Sequence, residues 1–161
     1  MMVLHGRSGP IAAGLLALVA IAALAACADL ENSYLPYPDL DFEQYRGVIQ
    51  PIVTSSCSSL GCHGDHNRRL TFYAVDFLRA EPKAVGEPLD PDDLTAGEQM
   101  WNYNGLRTRL LDETDAASSR LVLKCIDPEL GGIVHGDGLI VWDDLEDRDY
   151  LEFVAWIEAG L

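Results

Sequence analysis

The chain has 161 residues, with 26 acidic against 11 lysine and arginine side chains, a formal net charge of −15 and 48% hydrophobic residues. Such acidity repels nucleic-acid phosphates and excludes nucleic acid as a partner. The length suits one domain with a modest core, and no internal repeat or low-complexity tract divides it.

Residues 1–26 read as a processing signal. Met1 to Pro10 is a short leading region with Arg7, and Ile11 to Ala23 is an apolar run too short to span a membrane as a settled helix. Leu24-Ala25-Ala26-Cys27 follows and resembles a bacterial lipobox, in which the cysteine is cut before and acylated. The expected product is a lipoprotein of 135 residues starting at lipidated Cys27; a plain secretory signal with an incidental cysteine is the alternative. The aspartate of Ala28-Asp29 is not next to the cysteine, which places the anchor in the outer rather than the inner membrane, with the domain facing the periplasm. Arg7 is the only charged residue lost, so the mature charge is about −16. The compartment is oxidising and permits disulfides.

Residues 27–41 carry Pro36 and Pro38 and read as a tether, with one domain over 42–161. Phe42, Tyr45, Val48 and Ile49 fall at helical spacing, and Pro51 is expected to end or kink that helix. The chain then reaches Cys57-Ser58-Ser59-Leu60-Gly61-Cys62-His63-Gly64. Two thiols with a histidine directly after the second form the attachment signature of c-type haem. Each thiol adds across one vinyl group, and His63 becomes the proximal iron ligand. Four residues separate the cysteines where the usual pattern has two, so the loop between them has to bulge outward.

Leu70-Thr71-Phe72-Tyr73-Ala74-Val75 is either a short extended segment or a helix start, with Leu70 and Phe72 facing haem or core. Residues 81–93, acidic and with three prolines, read as a loop. Thr95 with Glu98 looks like a capping box opening a helix through about Leu111 that carries Met100, Trp101, Leu106 and Leu110, with Gly105 a weak point. Leu121-Val122-Leu123 leads into Cys125, read as a buried apolar thiol, with a disulfide to Cys57 or Cys62, which would abolish haem attachment, as the rival. Gly131 to Gly138 is a glycine-rich loop holding His135. The last helix is expected between Asp144 and Gly160, with Asp147 or Asp149 in its first turn and Tyr150, Phe153, Val154 and Ile157 as its stripe.

Taken in order, Val48-x-x-Pro51-Ile52, Cys57…Cys62-His63-Gly64, Ser119-x-Leu121-x-x-Lys124, Gly131-Gly132-x-x-His135-Gly136 and Asp149-Tyr150…Trp156-Ile157-x-x-Gly160 resemble the cytochrome c-like haem domain of bacterial outer-membrane or periplasmic lipoproteins, from about Phe42 to the C-terminus. The resemblance implies a small, mostly α-helical domain with long loops, whose first and last helices cross with one haem c against the crossing. The wider cysteine spacing and Cys125 are departures from that pattern.

For the second axial position the candidates are His66, His135 and Met100. His66, three residues from His63, cannot easily reach the opposite haem face. His135, in a loop whose glycines allow close approach, is preferred, with Met100 the alternative and an open position the third case. The expected function is electron transfer by a haem-bearing lipoprotein, an electron carrier rather than an enzyme, docking a redox partner with a basic face. Three other readings stay open: a non-redox structural or binding lipoprotein with the motif cysteines in a disulfide, a haem enzyme with an open axial site, and a zinc site built on Cys57, Cys62 and His63.

Overall fold

The computed structural model describes residues 37–81, 94–136 and 138–161. The leader, Cys27, most of the tether and nearly all of the 81–93 loop lie outside the described residues. Among the described residues the fold is helical and has no sheet; its one bridge between extended segments pairs Ile126 with Trp142.

Every helix here except Gln50–Ser56, which continues from the turn before it, begins where a side-chain oxygen takes up a backbone N–H that the helix itself leaves free. Asp41 accepts from Gln44 N at 2.8 Å and opens α1, Phe42–Gln44. This short helix runs directly into a π turn, Tyr45–Ile49, and on into α2, Gln50–Ser56. Pro51 therefore does not end the helix. Its ring would crowd the carbonyl four residues back, and it has no N–H to give. The rod absorbs this by widening, with the Gln50 N–H bonded to the Tyr45 carbonyl five residues earlier. As a result the helix reaches the first motif cysteine, whose N–H still bonds Val53 O at 3.0 Å.

α3, Ala96–Arg107, opens with the expected capping box between Thr95 and Glu98. Its buried face differs from the expected one. Met100 and Trp101 are exposed, while Glu98, Asn102, Tyr103 and Leu106 are buried. Two polar residues explain the rotation. Asn102 accepts from Tyr73 N and donates to Tyr73 O, both at 2.8 Å, so it pairs with the extended 70–74 segment as a strand edge would. Glu98 receives Arg79 Nε at 2.8 Å and the N–H groups of Ala80 and Thr95, each at 2.8 Å. Gly105 stays helical and lies against Leu70.

α4, Arg120–Leu123, is capped by Ser119, and α5, Arg148–Glu158, by Asp147, with Asp149 in its first turn. The stripe Tyr150, Phe153, Trp156 and Ile157 is buried and Val154 is partly so. Trp156 packs on Tyr45 with ring centroids 5.8 Å apart and donates from Nε1 to Asp41 O at 2.8 Å. Asp39 N donates to Gly160 O at 3.0 Å. A Cβ at Gly160 would stand 2.5 Å from Leu40 Cδ2 and 2.8 Å from Asp39 O, so only glycine allows this approach. The first and last helices thus pack on each other, as a small mostly α domain of this order requires.

The buried carboxylate of Glu98 generates a stability prediction. Burial alone would raise its pKa, but Arg79 and the N–H groups of Ala80 and Thr95 outweigh that and hold it at about 2, against 4.5 for a free glutamate. A carboxylate lowered on folding stabilises the fold fully above the unfolded value, and the contribution disappears as pH falls towards the folded one. Glu98→Gln is expected to cost roughly 3 kcal/mol at neutral pH, and wild type and variant should converge as pH falls from about 4.5 to about 2. Urea unfolding of both proteins across that range is the measurement.

Candidate functional site

The site is built from the end of α2, the loop that follows it, and the glycine-rich loop after α4. The Cys57–His63 loop folds back on itself. Cys62 N donates to Ser59 O at 2.9 Å, Gly64 N to Ser59 O at 3.0 Å and His63 N to Cys57 O at 3.0 Å. Ser58 is fully buried, with its hydroxyl bonded to Thr54 O. Ser59, Leu60 and Gly61 stand out into solvent, so the extra residues of the wide spacing do form an outward bulge.

His63 is oriented from behind. Its Nδ1 lies 2.8 Å from Leu70 O, and its ring meets Phe72 edge-on at 5.6 Å. A carbonyl can only accept, so Nδ1 carries the proton and Nε2 keeps a lone pair for a metal or an acid. A histidine pinned this way through its second nitrogen is the arrangement used by metal-ligating histidines. Phe72 N donates back to His63 O at 2.8 Å, which ties the 70–74 segment to the motif.

His135 is delivered by a loop closed at its base. Asp127 N donates to Trp142 O at 3.0 Å, and Cys125 O accepts from both Val141 and Trp142. Ile133 N donates to Leu123 O at 2.8 Å, and Gly138 N to His135 O at 2.8 Å. Gly136 and Gly138 have φ of +48° and +84°, the left-handed region that lets the loop turn so tightly. The His135 ring then lies 5.7 Å from that of His63, centroid to centroid, at an interplanar angle of 41°. Its Nδ1 is buried and makes no hydrogen bond among the described residues. Burial, then the adjacent His63 and Lys124, hold its pKa below the usual histidine value and favour the neutral, ligating form.

Two cavities, of about 350 and 480 Å³, meet at this histidine pair, and Cys57 lines both. The smaller has an apolar floor that includes Leu70, Phe72, Leu106 and Phe153; the larger is edged by Cys62, Gly136 and Leu139. Cys57, Cys62 and Cys125 are all free thiols. Burial pushes Cys57 up to about 12, with Cys125 and then Cys62 adding to it, and burial pushes Cys125 up to about 11. Burial thus favours the protonated thiol at both positions, a poorer nucleophile than the thiolate.

The sequence candidates thus divide. Cys57, Cys62, His63 and His135 come together. His66 is exposed beside Tyr73, and Met100 is exposed on α3 and lines neither cavity. Among the described residues no three histidine, cysteine or acidic side chains form a group able to hold a metal ion, so the zinc reading lacks its ligand cluster. Cys125 is buried as expected, but it lines the smaller cavity together with Cys57. Reading the sequence missed the basic side chains around that cavity, Arg68, Arg69, Arg109, Arg120 and Lys124. Only Arg68-Arg69, just after the motif, offered a signal; the others are scattered along the chain.

The residues fit a covalent haem on two independent grounds. The orphaned Nδ1 of His135 beside a correctly pinned His63 is the kind of unsatisfied buried atom that a missing ligand explains. The apolar space on both sides of the pair, reached by both motif cysteines, is of the size class of cofactor pockets.

The loop also sets a test of its own geometry. A Cβ on Gly64 would fall 2.0 Å from Ser58 O, whereas one on Gly61 meets nothing within 4 Å. Gly64→Ala is expected to destabilise the domain by about 2 kcal/mol or more, and Gly61→Ala by less than about 0.5 kcal/mol. Urea midpoints of the two variants check this.

Compared with protein-family models, curated proteins and solved structures, the chain matches none.

Proposed function

We propose that this chain is an electron-transfer lipoprotein carrying one covalent haem c, attached through Cys57 and Cys62, with His63 and His135 as the axial ligands. The observation that carries the reading is the meeting of His63 and His135 at 5.7 Å where two cavities join, with both motif cysteines on their walls. When bound, the haem supplies a one-electron iron couple.

The chain's own residues do the rest. Cys57 and Cys62 are the residues that would hold the haem, each through a thioether at its sulfur. Leu70 O holds the His63 ring in one tautomer and orientation, aiming Nε2 inward. The depressed pKa of His135 keeps its ring neutral and able to ligate. Phe72, Leu106 and Phe153 exclude water from one side, and Leu139, exposed at the rim of the other cavity, leaves an edge that a partner can approach. The net charge of −15 supports a redox partner with a basic docking face. A lipid on Cys27 would hold the domain in the cell envelope, facing the periplasm, with the outer membrane the preferred site. Among the described residues no helix is long and apolar enough to cross a membrane.

The competing reading, a structural lipoprotein with Cys57 and Cys62 in a disulfide, is not favoured by three free thiols. The protein exported in a strain that attaches c-type haem is expected to give a reduced c-type absorption spectrum and a haem-stained band that survives denaturing electrophoresis. A colourless protein without free thiols at Cys57 and Cys62 sinks the electron-carrier reading. His135→Ala is expected to keep the stained band but to open the iron to carbon monoxide, while Met100→Ala leaves the spectrum unchanged. The reverse pattern would assign Met100 instead.

A further inference from the structure

The chain has eleven lysines and arginines, and five of them, Arg68, Arg69, Arg109, Arg120 and Lys124, line the 350 Å³ cavity. Among the described residues no aspartate or glutamate lines it. Among the described residues none of the five makes an ion pair; the two ion pairs there belong to Arg46 and Arg79. Arg68 and Arg109 donate to the backbone carbonyls of Gly61 and Arg69, at 2.9 and 2.8 Å. The side chains of Arg69 and Arg120 make no hydrogen bond.

These five come from three separate parts of the chain: the segment after the motif, the end of α3, and α4. Arg120 and Lys124 are four residues apart along α4 and its cap, a spacing at which like charges repel. Cations drawn together from three segments, in a protein of net charge −15, carry a repulsive cost that an anion between them would remove. Apart from His63 and His135, the rest of the cavity's lining is apolar or thiol, with Leu70, Phe72 and Phe153 among it. Its chemistry therefore selects a ligand with an apolar body and carboxylates at one edge.

We propose that Arg68, Arg69, Arg109, Arg120 and Lys124 form a carboxylate clamp at the mouth of this cavity, and that the carboxylates are the propionates of the bound haem. This rests on the haem reading above. A free long-chain carboxylate has the same chemistry and is the other possible source. Arginine suits the task because its planar fork can grip a carboxylate with two parallel hydrogen bonds.

The test uses the full chain exported with haem attachment, as wild type, Arg69→Gln/Arg120→Gln and Arg46→Gln. Neither Arg69 nor Arg120 holds the fold by a side-chain bond, so the double variant is expected to fold. Arg46, paired with Glu43 on α1's continuation and outside the cavity, is the control. If the clamp holds propionates, the double variant keeps its haem-stained band and its midpoint potential falls, because an uncompensated carboxylate favours the oxidised iron. That fall persists in 0.5 M salt, which screens distant surface charge to roughly a few ångströms, and Arg46→Gln does not reproduce it. A stained double variant with the potential of the control overturns the proposal.

If no haem is attached, the haem reading fails, and titration with dodecanoate decides the clamp separately. Wild-type binding that weakens by about tenfold or more in the double variant keeps the clamp and assigns it to a free amphiphile. Absence of dodecanoate binding, or equal binding by all three proteins, overturns it.

Discussion

The fold depends on the contact between the first helical rod and α5. Trp156 is fully buried, spends its only donor on the Asp41 carbonyl, and lies against Tyr45, which is also fully buried. That one side chain joins the cap of α1 to the last helix across 115 residues of sequence. Gly160 and Asp39 add a backbone bond at the same seam. The consequences run outward. Once the rod is fixed against α5, the direction in which Ser56 hands over to Cys57 is fixed too. The π turn at Tyr45–Ile49 keeps the rod continuous past Pro51, so the motif is presented at the end of a stiff element instead of after a break. Phe153, one turn before Trp156, then floors the cavity that the motif faces.

The second histidine arrives by a different route. No helix carries His135. A bridge at Ile126 and Trp142 closes its loop, and Trp142 in turn packs on Tyr150 and Phe153 of α5 at 5.6 and 5.4 Å. The same helix therefore supports both halves of the site, directly beneath the cavity and indirectly through the loop base. His63, held by Leu70 O, and His135, held by its loop, meet without sharing a secondary-structure element. This makes their approach a property of the tertiary fold, sensitive to anything that loosens α5.

Much of this was legible in the residues themselves, for physical reasons that apply to some segments and not to others. α5 could be read because its apolar residues face one core, so its period survives in the sequence. Its start, the Thr95–Glu98 box and the outward bulge of the wide cysteine loop follow from local chemistry, which sequence reasoning handles well. Pro51, expected to end or kink the helix, does not end it, because the wider turn at Tyr45–Ile49 absorbs its cost. α3 was read only in part because its buried face is half polar: Leu106 is inside as expected, but Glu98 and Asn102 are inside for the sake of Arg79 and Tyr73, while Met100 and Trp101 are left outside. The basic cavity was hidden for the same reason. Residues 68, 69, 109, 120 and 124 form no run, and only folding brings them to one mouth.

Five of the cations of this acidic chain gather at one cavity, and that gathering bears on the haem proposed above. At a net charge of −15 the surface repels a porphyrin's carboxylates at long range, where solvent and salt screen the effect. Inside the mouth, screening is weaker and the sign reverses, so the local cations dominate at contact distance. An acidic exterior favours basic surfaces at long range, while the basic mouth favours an anion at contact distance. Each of the two fields would defeat the other if they overlapped. Among the described residues no aspartate or glutamate stands on that lining, so nothing there neutralises the cations from within.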